Sequence, residues 1–105
     1  MTITYTALPE SARLVTRVGL PNATLGINTA TVVKTGAGNI GYVSVTVAGS
    51  AAGAVYDAKS TSGNASANQI AAIPNTVGVY PIDFPTGVGL VIAPGTGQTV
   101  AVTWN

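Results

Sequence analysis

The side chains that could carry out acid–base or metal chemistry are few in this chain. It has 105 residues with no histidine and no cysteine, and its carboxylates are Glu10, Asp57 and Asp83. Histidine is the side chain whose ordinary pKa lies near neutrality, and imidazoles, thiolates and carboxylates are the usual metal ligands. Three scattered carboxylates predict neither an acid–base pair nor a metal site. The sequence therefore indicates a protein that is not an enzyme, carries no cofactor and has a structural or binding role.

One glycine-rich segment has the pattern of a nucleotide-binding loop. Residues 36–41 read Gly-Ala-Gly-Asn-Ile-Gly, and Asp57 follows at about the distance of a ribose-binding acid. That motif works because its glycines open a helix whose N-terminal amides face the phosphates. Residues 40–47 instead alternate as a strand does. We therefore interpret the segment as a turn.

Charge is scarce along the whole chain. Charged residues make up 7% of it and hydrophobic residues 47%, whereas about a quarter of an ordinary soluble domain is charged. Four basic residues against three acidic ones are too few for a nucleic-acid surface, and no apolar run approaches the ~20 residues that span a bilayer. A surface with so little charge repels neighbours weakly. With six aromatic residues for the core, this composition favours a homo-oligomer, and a trimer above others.

The sequence from residue 27 onward predicts an all-β protein. Short β-branched runs are separated by clusters of Gly, Pro, Asn and Ser, which is typical of a sandwich or barrel. Alternation is clearest at 40–47, where Val43, Val45 and Val47 share a predicted core face. We expect an antiparallel β-sandwich, jelly-roll-like or immunoglobulin-like, of about seven strands, near residues 30–34, 40–47, 54–57, 69–73, 79–84, 88–92 and 99–104.

The connections between these runs carry further predictions. Pro94-Gly95-Thr96-Gly97 lies between two periodic runs and predicts a hairpin. Pro81 and Pro85 lack backbone donors, which indicates an edge or bent strand at 79–84. Residues 60–68 are small or polar and predict an exposed loop.

Residues 1–26 differ in character and are interpreted as an N-terminal arm, followed by a sandwich domain at 27–105. Pro9 and Gly19 would suit the start and stop of a helix, but the β-branched residues between them favour an extended conformation. The arm holds two of the four basic residues. It is either a solubilising first strand or a docking segment, and the candidate partner-binding residues are Leu8, Arg13, Leu14, Arg17 and Val18.

The second half of the chain resembles a group of phage proteins. The run Val79-Tyr80-Pro81-Ile82-Asp83-Phe84-Pro85-Thr86-Gly87-Val88-Gly89-Leu90-Val91-Ile92 is followed by Gly95-Thr96-Gly97 and Thr99-Val100-Ala101-Val102-Thr103-Trp104. This order is similar to the endings of small structural proteins of tailed bacteriophages, and residues 41–57 are similar to their middle. The resemblance covers about residues 30–105. It implies a virion component, a head decoration or head-fibre subunit that is often a trimer.

These observations lead to one expected function and one alternative. We expect a bacteriophage virion protein that binds the outer capsid surface, with the major capsid protein or other virion subunits as partners. It would lie in the host cytoplasm before assembly, because the N-terminus lacks the basic start and apolar run of a signal peptide. The alternative is a carbohydrate-binding or adhesion module that binds a surface glycan, with Tyr42 and Tyr56 as its stacking platform.

Overall fold

A computed structural model describes residues 20–105, and within this range the chain forms eight β-strands and two short 3-10 turns. The turns, Thr61–Gly63 and Ser66–Asn68, lie in the predicted loop at 60–68. The strands are β1 (Asn22–Ile27), β2 (Thr31–Thr35), β3 (Gly38–Val47), β4 (Gly53–Tyr56), β5 (Gln69–Ile73), β6 (Gly78–Thr86), β7 (Gly89–Ala93) and β8 (Thr99–Trp104).

The strands form two antiparallel sheets that pack against each other. The first sheet has the order β1-β8-β3-β6 and the second the order β2-β7-β4-β5. Strand β1 pairs with β8, β2 with β7, β3 with β6 and β4 with β5. The chain therefore runs out and back like one long hairpin whose successive pairs alternate between the sheets. This is the eight-stranded jelly roll, so the predicted antiparallel sandwich is confirmed in its jelly-roll form.

The strand that the sequence did not predict is β1. Pro21, Asn22 and Gly26 are turn-forming residues, so local propensity disfavours a strand there. The strand forms because it pairs with β8. Gly26 adopts a φ of +67° where the register of this pairing shifts after Thr24. The predicted boundary after residue 26 thus falls inside a strand of the sandwich. Residues 1–19 of the predicted arm lie outside the described residues.

The core between the sheets is aliphatic, as the small number of aromatic residues predicts. Tyr80 and Trp104 are partly buried and pack against its margin, and the Trp104 indole N–H donates to the Thr24 hydroxyl at 3.0 Å. The buried cluster consists of Ile27, Ile40, Val43, Val45, Val55, Ile73, Leu90, Ile92, Val100 and Val102.

A bulge in β3 changes the predicted alternation. Val43 and Val45 are buried as expected, but Val47 is 50% exposed. Opposite β8, Val45 pairs with Val100 while Val47 pairs with Thr99, so one extra residue lies on β3 between them. An extra residue reverses which face the following side chains occupy. The prediction that Val47 faces the core is therefore wrong.

The loop at 94–98 joins the two sheets and is not a hairpin. It leads from β7 in the second sheet to β8 in the first, so the predicted hairpin is wrong. Buried Gln98 holds this loop: its Nε2 donates to the Pro74 carbonyl at 2.9 Å, and its Oε1 accepts from the Gly95 N–H at 3.0 Å. A buried polar side chain with both ends paired avoids the cost of an unmade hydrogen bond.

Strand β6 lies at the edge of the first sheet, which confirms the edge position predicted from Pro81 and Pro85. Between the pairs Ile40 with Phe84 and Tyr42 with Pro81, β6 has one residue more than β3. Asp83 lies in this bulge with a φ of +52°, a conformation that aspartate tolerates better than most residues. In residues 20–105 there is no helix long and apolar enough to cross a membrane.

Replacing Val45 with Asp is expected to destabilise the domain by several kcal/mol, because the new carboxylate would lie unpaired in an aliphatic core. Val47→Asp is the matched control, with the same change two residues along the same strand at a half-exposed position. Thermal denaturation followed by circular dichroism would show a large loss of melting temperature for the first variant and a small one for the second. Equal melting of Val45→Asp and the parent would contradict the assignment of the core face.

Candidate functional site

The carboxylate that the sequence singled out, Asp57, accepts hydrogen bonds from the protein backbone. It follows β4, and its donors are three successive N–H groups, two in the turn between β6 and β7 and one at the first residue of β7. Its Oδ2 lies 3.0 Å from the Gly87 nitrogen, and its Oδ1 lies 2.8 Å from that of Val88 and 3.1 Å from that of Gly89. Within residues 20–105, no group of three or more His, Cys, Asp and Glu could hold a metal ion.

These hydrogen bonds lower the pKa of Asp57. The N–H of Gly87 has the largest effect and those of Val88 and Gly89 add to it, while partial desolvation acts in the opposite direction. Donors that point at a carboxylate favour its charged form. Asp57 therefore remains ionised at neutral pH and holds the turn by charge-assisted hydrogen bonds.

The glycine-rich segment at 36–41 begins with a turn at residues 36–37, as predicted, and its remaining residues belong to β3. Gly36 adopts a φ of +94° and its N–H donates to the Val88 carbonyl at 2.7 Å. Strand β3 begins two residues later, at Gly38. The segment therefore joins the two sheets and lacks the helix start that a phosphate loop needs.

The predicted tyrosine platform for sugars is not formed. Tyr42 lies in β3 of the first sheet, whereas Tyr56 lies in β4 of the second. Tyr42 lines the outer surface of its sheet, and Tyr56 follows the buried Val55, so alternation directs it to the outer surface of the opposite sheet. Two rings on opposite sides of a sandwich do not stack on one ligand.

The first sheet has an apolar outer face. The face has a shallow depression of about 250 Å³. Two of its side chains are strongly exposed, Leu25 at 75% and Val79 at 64%. Among residues 20–105, none of those that line the depression is charged: they are Ala23, Leu25, Tyr42, Ser44, Val79, Ala101, Val102 and Thr103.

Irregular pairing in β3 shapes this outer face. The β3 register shifts between Ile40 and Tyr42 opposite β6, and the Tyr42 N–H donates to the Thr103 hydroxyl oxygen at 2.8 Å. Gly41 leaves room beside the same hydroxyl, and the side chain of Leu20 occupies it: a Cβ on Gly41 would lie 3.0 Å from Leu20 Cδ1. The chain that leads into β1 therefore reaches across β8 to β3 on the outer face.

The predicted partner-binding residues Leu8, Arg13, Leu14, Arg17 and Val18 lie outside the described residues. The structure describes the chain from Leu20, which borders the outer face next to Gly41. The face itself was not predicted from the sequence. A signal for it exists in β6, where Val79 alternates with Tyr80, because an apolar residue on each side of an edge strand indicates that both sides can be covered.

The strand order defines the class of this chain as a jelly-roll β-sandwich, with a nearly uncharged surface and an apolar outer face on one sheet. No protein-family model, no curated protein and no solved structure matches the chain.

Replacing Asp57 with Asn is expected to lower the free energy of unfolding at neutral pH by about 1–3 kcal/mol, since three hydrogen bonds to a charged acceptor would weaken. Because the folded pKa of Asp57 is lowered from 3.8, its contribution is present above that value. It is lost as the pH falls through the folded pKa.

Urea denaturation of the parent and of Asp57→Asn at a series of pH values would test this. The two curves of stability against pH should converge once the pH has fallen below the lowered folded pKa of Asp57. Asp83→Asn is the control for loss of a carboxylate elsewhere. A difference between Asp57→Asn and the parent that is constant from neutral to acid pH would contradict the role of the ionised carboxylate.

Proposed function

We propose that this chain is a structural protein of a bacteriophage virion that binds the outer surface of the capsid, as a decoration protein or head-fibre subunit. The observation that carries the proposal is the uncharged, apolar outer face of the first sheet, which projects Leu25 and Val79 into solvent. Contiguous exposed apolar surface is typical of an interaction site. Jelly rolls occur in viral capsid domains and in lectins, and this fold-level analogy adds support of a weaker kind.

The size of the outer face indicates how it would be used. Four strands about 4.8 Å apart and about six residues long cover roughly 300–400 Å² in projection. A stable interface buries about 800 Å² on each partner. One outer face is therefore too small for tight binding by itself, and it needs either additional contacts or several copies that bind together.

The chain that precedes β1 is the natural source of additional contacts. Leu20 packs at the border of the outer face, so the predicted arm joins the domain there. The arm has the apolar residues Leu8, Leu14 and Val18 and the basic residues Arg13 and Arg17. We assign to the arm and the outer face together the contact with the major capsid protein or another virion subunit.

Several copies would supply the remaining affinity. The charged residues between 20 and 105 are Lys34, Lys59, Asp57 and Asp83, two of each sign, so copies of the domain repel one another weakly. A homotrimer that presents three outer faces would bind a capsid far more tightly than one copy, since the second and third contacts become intramolecular. The protein would reside in the host cytoplasm until it joins the virion.

Replacing Val79 with Lys is expected to weaken capsid binding at least about tenfold, because a lysine on the apolar outer face would have to be desolvated on docking. Val32→Lys is the matched control: it makes the same change at an exposed valine of the second sheet. The measurement is co-sedimentation of purified protein with density-purified phage particles that lack it. The proposal fails if the parent protein is absent from virions and does not bind these particles.

The parent chain is expected to be a homotrimer in solution, with a mass three times the monomer's 10.4 kDa. Light scattering on a size-exclusion peak at micromolar concentration measures this directly. A monomeric mass at every concentration would contradict the trimer, and capsid binding would then depend on copies meeting on the particle.

A further inference from the structure

We infer that a cleft at one edge of the sandwich binds a neutral sugar ring. Strand β5 is the last strand of the second sheet and β6 the last of the first. Residues from both strands line one cleft of about 260 Å³, so the two edges open on the same side of the molecule. The cleft is separate from the outer face described above, and the residues used here are Asp57, Asn68, Gln69, Phe84 and Val88.

The apolar wall of the cleft is formed by Phe84 and Val88. Phe84 is the single phenylalanine of the chain, yet 50% of it is exposed, and Val88 is 49% exposed. An aromatic ring has a negative face that attracts polarised C–H groups. The C–H side of a pyranose ring presents such groups and is flat enough to lie on the phenyl ring.

The polar wall presents hydrogen-bond acceptors. The amide nitrogen of Asn68 donates to the Gly63 carbonyl at 2.7 Å, and that of Gln69 donates to the Ala71 carbonyl at 3.3 Å. The side-chain oxygen of each amide can then accept from a ligand hydroxyl, and the second N–H of each amide can donate to one. The Asp57 carboxylate uses three of its roughly four lone-pair positions on the turn at 87–89, which leaves one more acceptor.

Two of the acceptors, those of Asp57 and Asn68, are held in place before any ligand binds. The Asp57 N–H donates to the Asn68 carbonyl at 2.8 Å, and the Asn68 N–H donates to the Ala65 carbonyl at 2.8 Å. Asp57 is fixed in turn by the backbone of the turn between β6 and β7. Ordering of the site therefore adds little to the cost of binding.

This arrangement selects one chemical class. Three acceptors beside an aromatic ring suit a molecule with several hydroxyl donors and an apolar face, which describes a sugar. The lining residues in the described part of the chain include no lysine or arginine, and the ionised Asp57 disfavours an anion. The volume lies just below the range of drug-sized sites, so it suits one ring. The cleft is thus assigned to a neutral hexose, deoxyhexose or N-acetylhexosamine, at the end of a glycan.

Saturation-transfer NMR on the full chain would test the assignment, with methyl glycosides of the common neutral hexoses, deoxyhexoses and N-acetylhexosamines at millimolar concentration. At least one should bind with a dissociation constant near the millimolar range, while glucuronate and N-acetylneuraminate should not. In a nitrogen–proton correlation spectrum of the isotope-labelled protein, the amide signals that shift on addition of the sugar that binds should be those of residues 68, 69, 87 and 88. No binding by any neutral sugar, or equal binding by the anionic ones, would overturn the assignment.

Two variants in the same strand locate the site. Phe84→Ala should raise the dissociation constant about tenfold, because the variant loses one aromatic contact and the apolar area that this contact buries. Val79→Ala removes an exposed apolar side chain from the outer face and should change binding less than twofold. Because both positions are exposed, both variants should melt like the parent. Binding unchanged in Phe84→Ala, or equally reduced in Val79→Ala, would refute the site, whatever capsid binding shows.

Discussion

The three hydrogen bonds to the Asp57 carboxylate are the constraint around which one end of the sandwich is organised. Asp57 follows β4 in the second sheet. The N–H groups that donate to it lie where the chain passes from β6 in the first sheet to β7 in the second. The same residue donates its own N–H to Asn68 and so fixes the loop after β4. One ionised side chain thereby holds two connections together and lines the cleft between the edge strands.

At the opposite end of the sandwich, uncharged side-chain amides hold the loops together. Gln98 joins the loop at 94–98 to Pro74, and Asn75 exchanges two hydrogen bonds of 2.8 Å with the backbone of Gly49. Close approach of these loops requires glycine, since a Cβ on Gly49 would collide with the Thr96 carbonyl. Side-chain amides satisfy backbone groups that a loop cannot pair by itself. The domain therefore closes both ends with very few charged residues.

Scarcity of charge has a second consequence on the surface. A sandwich needs one apolar face on each sheet, and the first sheet has apolar side chains on its outer face as well. The outer face and the edge cleft lie on different parts of the domain. Both include a residue of β6: Val79 lies on the outer face, and Phe84 lines the cleft. Contact with a large assembly and recognition of a small ligand are therefore compatible in one subunit.

The sequence by itself determined the all-β class, seven of the eight strands and the aliphatic core, because alternation of side chains along a strand is a local property that neighbouring residues express. Only the tertiary structure decided which strands pair. Strand β1 forms because it pairs with β8, and the hydrogen bond between Trp104 and Thr24 joins these strands although the two residues are 80 positions apart in the sequence. The bulge that exposes Val47 and the crossing of the loop at 94–98 between sheets depend on the same long-range pairing. Local periodicity contains no information on the partner of a strand, so the outer face and the cleft, each built from several strands, could not be predicted from it.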